Sequence, residues 1–228
     1  MSDYHFTSET FIFLSALAEN NNREWFEAHK QDYESAVRTP ALELIDVLAG
    51  DLALISPHFS AIAKKSGGSL MRIHRDTRFT RDKRPYKTNI GIHIRHEVGK
   101  DVHAPGYYIH IEPDECFIGV GIWRPDSDVL AKIRDSIVEN GKAWLTVRDD
   151  KAFRRRFTLS GEALARPPRG YAKDHPLIDD LKRKDFIAVA NYDDRRVKSK
   201  SFLSDVVQDF KRATPYMRFL CKALALRF

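Results

Sequence analysis

Between Arg72 and Lys87 the chain reads RIHRDTRFTRDKRPYK, with five guanidinium groups, of which Arg72, Arg75, Arg78 and Arg81 recur three residues apart, and ammonium groups at Lys83 and Lys87. A guanidinium is a planar fork that meets a phosphate or carboxylate through two parallel hydrogen bonds, and a lysine adds a point charge. Only two carboxylates within the stretch, Asp76 and Asp82, stand against these cations. Two readings follow. In one, Arg72, Arg75, Arg78, Lys83 and Tyr86 hold an exogenous anion. In the other, Asp76 pairs with Arg75 or Arg78 and Asp82 with Lys83, and the motif is an internal ion network that locks a loop. The charge is local. From Lys64 to Lys100 there are eleven basic and three acidic residues, a net +8, whereas the rest of the chain sums to −2. That distribution favours one anion site over a surface that adheres to polyanions everywhere.

A second group of reactive side chains follows on alternating positions. Ile90, Ile92 and Ile94 alternate with Gly91, His93 and Arg95; Tyr107, Ile109 and Ile111 with Tyr108, His110 and Glu112; Ile118, Val120 and Ile122 with Phe117, Gly119, Gly121 and Trp123. A period of two places one set on an apolar sheet face and the other on the opposite face. His93, Arg95, His110, Glu112 and Trp123 therefore share a face with three glycines. Glycine inside a strand marks close approach by a ligand or another backbone, so this face is either a shallow pocket or the seat of the carboxy-terminal helix. His93, His110, Glu112 or Asp76 could transfer protons to a clamped substrate. Two imidazoles and a carboxylate would also suit a metal, but isolated strand histidines are more often solvated or hydrogen-bonded, and neither metal nor cofactor is expected. No Walker glycine loop, GxSxG, HExxH or CxxC occurs, and Tyr108, Phe117 and Trp123 lack an RNP-type pattern. Arg154–Arg156 and Lys182–Lys184 read as solvated basic faces.

The elements that must position these groups are legible in outline. The first third is helical: Ser8 opens a segment with Phe11, Leu14 and Leu17 at helical spacing, Asn22 caps a second with Trp25, Phe26, His29, Tyr33 and Val37, and Thr39-Pro40 starts a third. Gly67-Gly68 ends that pattern. Strands are expected near Ser69–Ile73, Thr88–His96, Gly106–Glu112 and Cys116–Trp123, with a fifth over Phe186–Tyr192. The short connections among the first four require antiparallel pairing. Asp126 or Ser127 caps a helix that stops at Asn140-Gly141, and a long helix from Ser201, interrupted at Pro215, closes the chain. The expected fold is α+β: one domain over residues 1–228, an antiparallel meander of four to five strands, and helices on its apolar face.

With 228 residues, 43% of them hydrophobic, the chain can build a sizeable core. No basic leader precedes Phe6 and no apolar run approaches the ~18 residues of a membrane span, so a cytoplasmic, membrane-free protein is expected. Cys116 and Cys221 have no neighbouring partners and read as buried thiols.

The stretch carrying Arg72, Arg75, Asp76, Arg78, Phe79, Asp82, Lys83 and Tyr86 resembles the signature of the family named domain of unknown function (DUF) 2461. Asn21–Phe26 (NNREWF), Gly106–Pro113 (GYYIHIEP), Gly119–Pro125 (GVGIWRP) and Pro168–Pro176 (PRGYAKDHP) extend the resemblance over nearly the whole chain. It implies no activity and carries over no catalytic residue. The residues themselves suggest a binding domain for a phosphorylated or other anionic ligand, either a small molecule such as a nucleotide or a nucleic-acid backbone. An enzyme acting on a phosphorylated or carboxylated substrate, and a protein-interaction module whose Arg/Asp motif is structural, are the alternatives.

Overall fold

The computed structural model describes residues 4–99 and 104–228; Lys100, the end of the basic stretch, and the first three residues lie outside them. Helix α1 (Ser8–Glu19) buries Phe11, Phe13, Leu14 and Leu17. Helix α2 (Arg23–Ala28) is capped as expected: the Asn22 side chain accepts the Trp25 N–H at 3.0 Å, satisfying one of the free donors of the first turn. The single second helix expected as far as Val37 is instead α2, a short α3 (Lys30–Tyr33) and a π-helical turn, Glu34–Arg38. The break falls at His29, whose ring stacks on Trp25 and bonds its own Trp25 carbonyl at 2.8 Å. Helix α4 (Thr39–Ile55) starts with Pro40 in its first turn and buries Leu44, Ile45, Leu48 and Leu52.

Among the described residues the sheet has six strands rather than four or five, in the order β1 (Phe59–Ser60), β2 (Ile90–His96), β3 (Gly106–Ile111), β4 (Cys116–Ile122), β6 (Phe186–Tyr192), β5 (Thr158–Ser160), every pair antiparallel. Strands β2 to β4 form the expected meander. The two additional strands lie at the edges and are two and three residues long, too short to show a period. The expected strand Ser69–Ile73 is not one. Leu70 bridges Ile92, the Met71 N–H reaches the Gly91 carbonyl at 2.9 Å and the His93 N–H reaches Ser69 at 2.8 Å, after which the chain leaves the sheet. Strand β1 takes the rest of that edge, Phe59 opposite His96 and Ser60 opposite Arg95, so no full-length partner position remains for residues 69–73.

Between β4 and β6 run α5 (Ser127–Glu139), capped by Asp126, then α6 (Gly141–Arg148), α7 (Lys151–Arg156) and α8 (Ile178–Leu181); α9 (Asp194–Val197) and α10 (Phe202–Ala223) follow. Helix α10 runs through Pro215 without the expected interruption. Pro215 is exposed, and the carbonyl that it deprives of a partner belongs to exposed Lys211, where water can serve it. The buried face of α10 packs on the apolar side of the sheet, the Tyr107 and Phe210 rings 4.4 Å apart, so the helix does not cover the glycine-bearing side. Cys116 and Cys221 are buried free thiols. No helix among the described residues is long and apolar enough to cross a membrane.

Candidate functional site

The basic motif is a hairpin-like loop projecting from the Ile90 end of β2. His74 bridges Tyr86, the Lys87 N–H reaches the Ile73 carbonyl and the Arg75 N–H reaches Pro85, both at 2.8 Å, which closes the loop at its base. Two Asp-x-Arg units shape what lies above. Asp76 accepts the Arg78 N–H at 3.2 Å and Asp82 the Arg84 N–H at 3.0 Å, the side-chain-to-backbone bond by which aspartate makes a turn. Each carboxylate also receives the guanidinium two residues on, Arg78 as a fork at 2.9 and 2.7 Å and Arg84 through Nη2 at 2.8 Å. Half-buried Arg75 crosses the loop to Asp82 at 2.8 Å and to the Arg84 carbonyl at 3.0 Å. Lys83 donates to the Thr77 carbonyl at 2.8 Å rather than to Asp82. The Arg78 side chain, followed by its N–H, holds the Asp76 carboxyl down to about 2; Arg84, and to a smaller extent Arg75, hold Asp82 lower still.

The loop is docked on the helical region. The Asn21 amide clamps the Tyr86 backbone from both sides, donating to its carbonyl and accepting its N–H, each at 3.0 Å. The buried Tyr86 ring stacks on Phe26 with centroids 4.1 Å apart. Tyr86 is therefore an anchor of the loop, not an arm toward solvent.

After this pairing three cations are left over. Arg72, Arg81 and Lys87 make no ion pair or side-chain hydrogen bond among the described residues. Arg72 and Arg81 are exposed; Lys87 is half-buried, and its ammonium is held below the ordinary lysine range by that burial and then by the Arg72 charge. At the tip, Phe79 is 94% exposed with the Arg78 guanidinium 5.5 Å from its ring.

The open sheet face carries a hydrogen-bonded chain. The Tyr108 hydroxyl and the Asn89 amide both lie within hydrogen-bonding distance of His110 Nδ1, at 3.1 and 3.3 Å, and His110 Nε2 lies 3.1 Å from Glu112, the carboxylate favouring the tautomer protonated on Nε2. Thr88 holds the other Glu112 oxygen, and the His110 ring lies flat on Phe117 at 4.6 Å. Burial pushes the Tyr108 phenol up to about 12. His93 packs edge-on to Tyr108 of this face, with ring centroids 6.5 Å apart, but its Nδ1 accepts from Arg95 at 3.2 Å, and burial, followed by the Arg95 charge, lowers it to about 4. The two imidazoles thus serve different partners, and no group of three metal-binding side chains occurs among the described residues.

The glycines of this face are filled more than expected. A Cβ on Gly91 would lie 2.8 Å from the Tyr108 hydroxyl, and one on Gly106 2.8 Å from the His93 ring, so those two spaces hold side chains of the protein. Gly121 is needed for its backbone, with φ +118° and a would-be Cβ 2.0 Å from the Phe186 carbonyl. Gly119 alone of the three keeps open space above it, its nearest neighbour being the Tyr108 Cβ at an ordinary 3.8 Å.

Of the residues singled out in the sequence, the fold brings Arg72, Arg75, Asp76, Arg78, Asp82, Lys83 and Tyr86 together in the loop and sets His110 with Glu112 beside its root. The smaller influence of Glu112 on the Arg84 guanidinium marks that proximity. Trp123 stands apart. Register places Gly121 and Gly106 beside Arg95, so Trp123 lies past the far end of β2, ~17 Å or more from the Ile90 end along the strand. Arg84, Asn21, Asn89 and Phe79 were not singled out as site residues; for Phe79 the available signal was an aromatic residue inside a polar turn with no apolar periodicity to explain it. Two clefts of about 740 and 540 Å³ lie elsewhere, the first among Arg156, Tyr192, Arg196, Asp205, Asp209 and Arg212, the second between α7 and α8. Arg156 there is no solvated charge, since it donates to buried Asp209 at 2.6 Å and to the Asn191 carbonyl at 2.8 Å.

In comparisons with known proteins, the family described as conserved hypothetical protein (DUF2461) matches residues 9–219. No curated protein and no solved structure matches the chain.

Proposed function

The chain belongs to the DUF2461 family, and from the geometry of its basic loop we propose that it is a binding domain for a phosphorylated or otherwise anionic ligand. One observation carries the reading: Asp76 pairs with Arg78, Asp82 is shared by Arg75 and Arg84, and Lys83 has only a carbonyl, so the loop keeps a net positive charge, and Arg72, Arg81 and half-buried Lys87 have no side-chain partner among the described residues on a loop already held in shape. Partial burial of a cation beside a like charge costs free energy, and an anion arriving between them recovers it. The paired arginines supply order instead of affinity. Because the loop is internally bonded, little ordering entropy remains to be lost on binding.

The test is calorimetry with tripolyphosphate at low salt on the wild type and on Arg72→Gln and Arg81→Gln. Saturable binding, weakened in both variants with an unchanged melting temperature and falling steeply with salt, is the expected result. Absence of saturable binding in the wild type overturns the reading.

A second reading, an enzyme acting on such a ligand, is favoured by the Tyr108–His110–Glu112 chain. With Glu112 accepting from Nε2, the lone pair of the imidazole lies on Nδ1, which faces the Tyr108 hydroxyl and the Asn89 amide, the arrangement of an oriented general base. A panel of phosphate and carboxylate esters tests it: turnover lost in His110→Gln with tripolyphosphate affinity retained supports an enzyme, and no turnover of any member of the panel by the wild type counts against it.

A further inference from the structure

Phe79 is the most exposed large hydrophobic side chain among the described residues, at 94%. The loop that bears it is closed at His74 and Tyr86, cross-tied by Arg75 to Asp82 and by Lys83 to Thr77, and clamped to the helical region by Asn21. An aromatic ring gains much from burial, and a tied loop that withholds it from the protein's own core presents it ready for a partner. Its sequence neighbours within the tip are Thr77, Arg78, Thr80 and Arg81, so no apolar ring surrounds it such as shields the anchor of a protein–protein hot spot. Beside it stand the Arg78 guanidinium at 5.5 Å, itself forked on Asp76, and unpaired Arg81 two residues on.

A flat apolar platform among cations matches one ligand chemistry, a stackable ring linked to phosphates. We infer that the anion taken by this loop is single-stranded nucleic acid, with one unstacked base resting on Phe79 and the adjoining phosphates met by Arg81 and its neighbouring cations. The inference rests on the anion-binding reading and narrows it. Single strands are required because the faces of duplex bases are already occupied by one another. Stacking on one aromatic side chain is tolerant of sequence, since every base has a π-face, so the preference is for strandedness rather than for a motif.

The experiment is fluorescence anisotropy at low salt with labelled dT12, an abasic oligomer of equal length and a duplex. Tripolyphosphate binding is measured in parallel on the full chain and on its Phe79→Ala and Phe79→Trp variants. Phe79 touches no core, so both variants should fold. Expected are saturable dT12 binding that Phe79→Ala weakens about 5- to 150-fold, tripolyphosphate binding that it leaves unchanged, and quenching of the new indole by dT12 in Phe79→Trp. Equal affinity for dT12 and the abasic oligomer, equal affinity for the duplex, or indifference of dT12 binding to Phe79→Ala would overturn the inference while leaving anion binding intact. Binding of neither dT12 nor tripolyphosphate overturns both. Phe79-dependent binding to vesicles of phosphatidylserine and phosphatidylcholine without binding of dT12 overturns it in favour of a membrane surface.

Discussion

Asn21 and Tyr86 lie 65 positions apart, and through their amide–peptide pair a side chain of the helical third grips the backbone of the basic loop. Replacing Asn21 by Ala removes a donor and an acceptor at once and leaves the N–H and carbonyl of a residue only 3% exposed without those partners. Two hydrogen bonds at about 1 kcal/mol each, with a further part of the desolvation penalty for the stranded groups, predict a loss of about 2–3 kcal/mol. In a chain of this length that corresponds to a melting temperature lower by about 5–10 °C. The adjacent Asn22→Ala is the control. It removes an α2 cap at 3.0 Å and should cost about 1 kcal/mol without touching the loop. Urea titration supplies the free energies, and amide hydrogen exchange supplies the location: protection of the Tyr86 N–H should fall in Asn21→Ala and persist in Asn22→Ala. If Asn21→Ala stays within about 0.5 kcal/mol of wild type, a surface-like effect, or the Tyr86 amide keeps its protection, the clamp does not dock the loop and the reasoning from its geometry fails.

His93 gives a pH signature. Its folded pKa of about 4 lies below the ~6.5 of an unfolded histidine, so the unfolded chain binds the proton first; the stability from neutral His93 is complete above pH ~6.5 and is lost as pH falls toward 4. Denaturant melts at pH 7 and pH 4 should therefore show His93→Gln losing about 3 kcal/mol less than the wild type over that interval, and parallel losses would refute the assignment. Gly121→Ala drives a Cβ into the Phe186 carbonyl at a positive φ and should destabilise the protein by more than about 1 kcal/mol, measured by urea unfolding. Asp209→Ala removes the buried carboxylate that accepts from Arg156, Tyr192 and Arg212; a loss of about 3 kcal/mol in the same assay is expected, and a neutral result would mean that the cleft's charges are solvated.

Local information sufficed for much of this architecture. Alternation of isoleucine with glycine, histidine and tyrosine identified β2, β3 and β4 and the side of the sheet on which each residue lies, because side-chain direction in a strand follows from position alone. Asn22 and Asp126 marked helix starts for an equally local reason, the unfilled donors of a first turn; Pro40 instead follows a π-helical turn inside a continuous helical run. The same reasoning failed for β1 and β5, which exist because a neighbouring strand offers an edge, and for Pro215, whose disruption falls on the exposed side of the helix, at Lys211.

The composition of residues 72–87 established that cations outnumber carboxylates, but not which cations would be left over. That choice was made by the tertiary structure. Asp76 and Asp82 took the arginines that their own turns brought within reach; closure of the loop carried Arg75 across to Asp82 and aimed Lys83 at a carbonyl; Arg72, Arg81 and Lys87 fell outside every such contact. Ion pairing acts over a few ångströms, and the distances that decide it depend on how a loop closes and what it docks against, here on an asparagine 65 residues away. The exposure of Phe79 has the same origin, since an aromatic residue in a polar turn is buried or presented according to whether the fold brings an apolar surface over it, and this fold brings none.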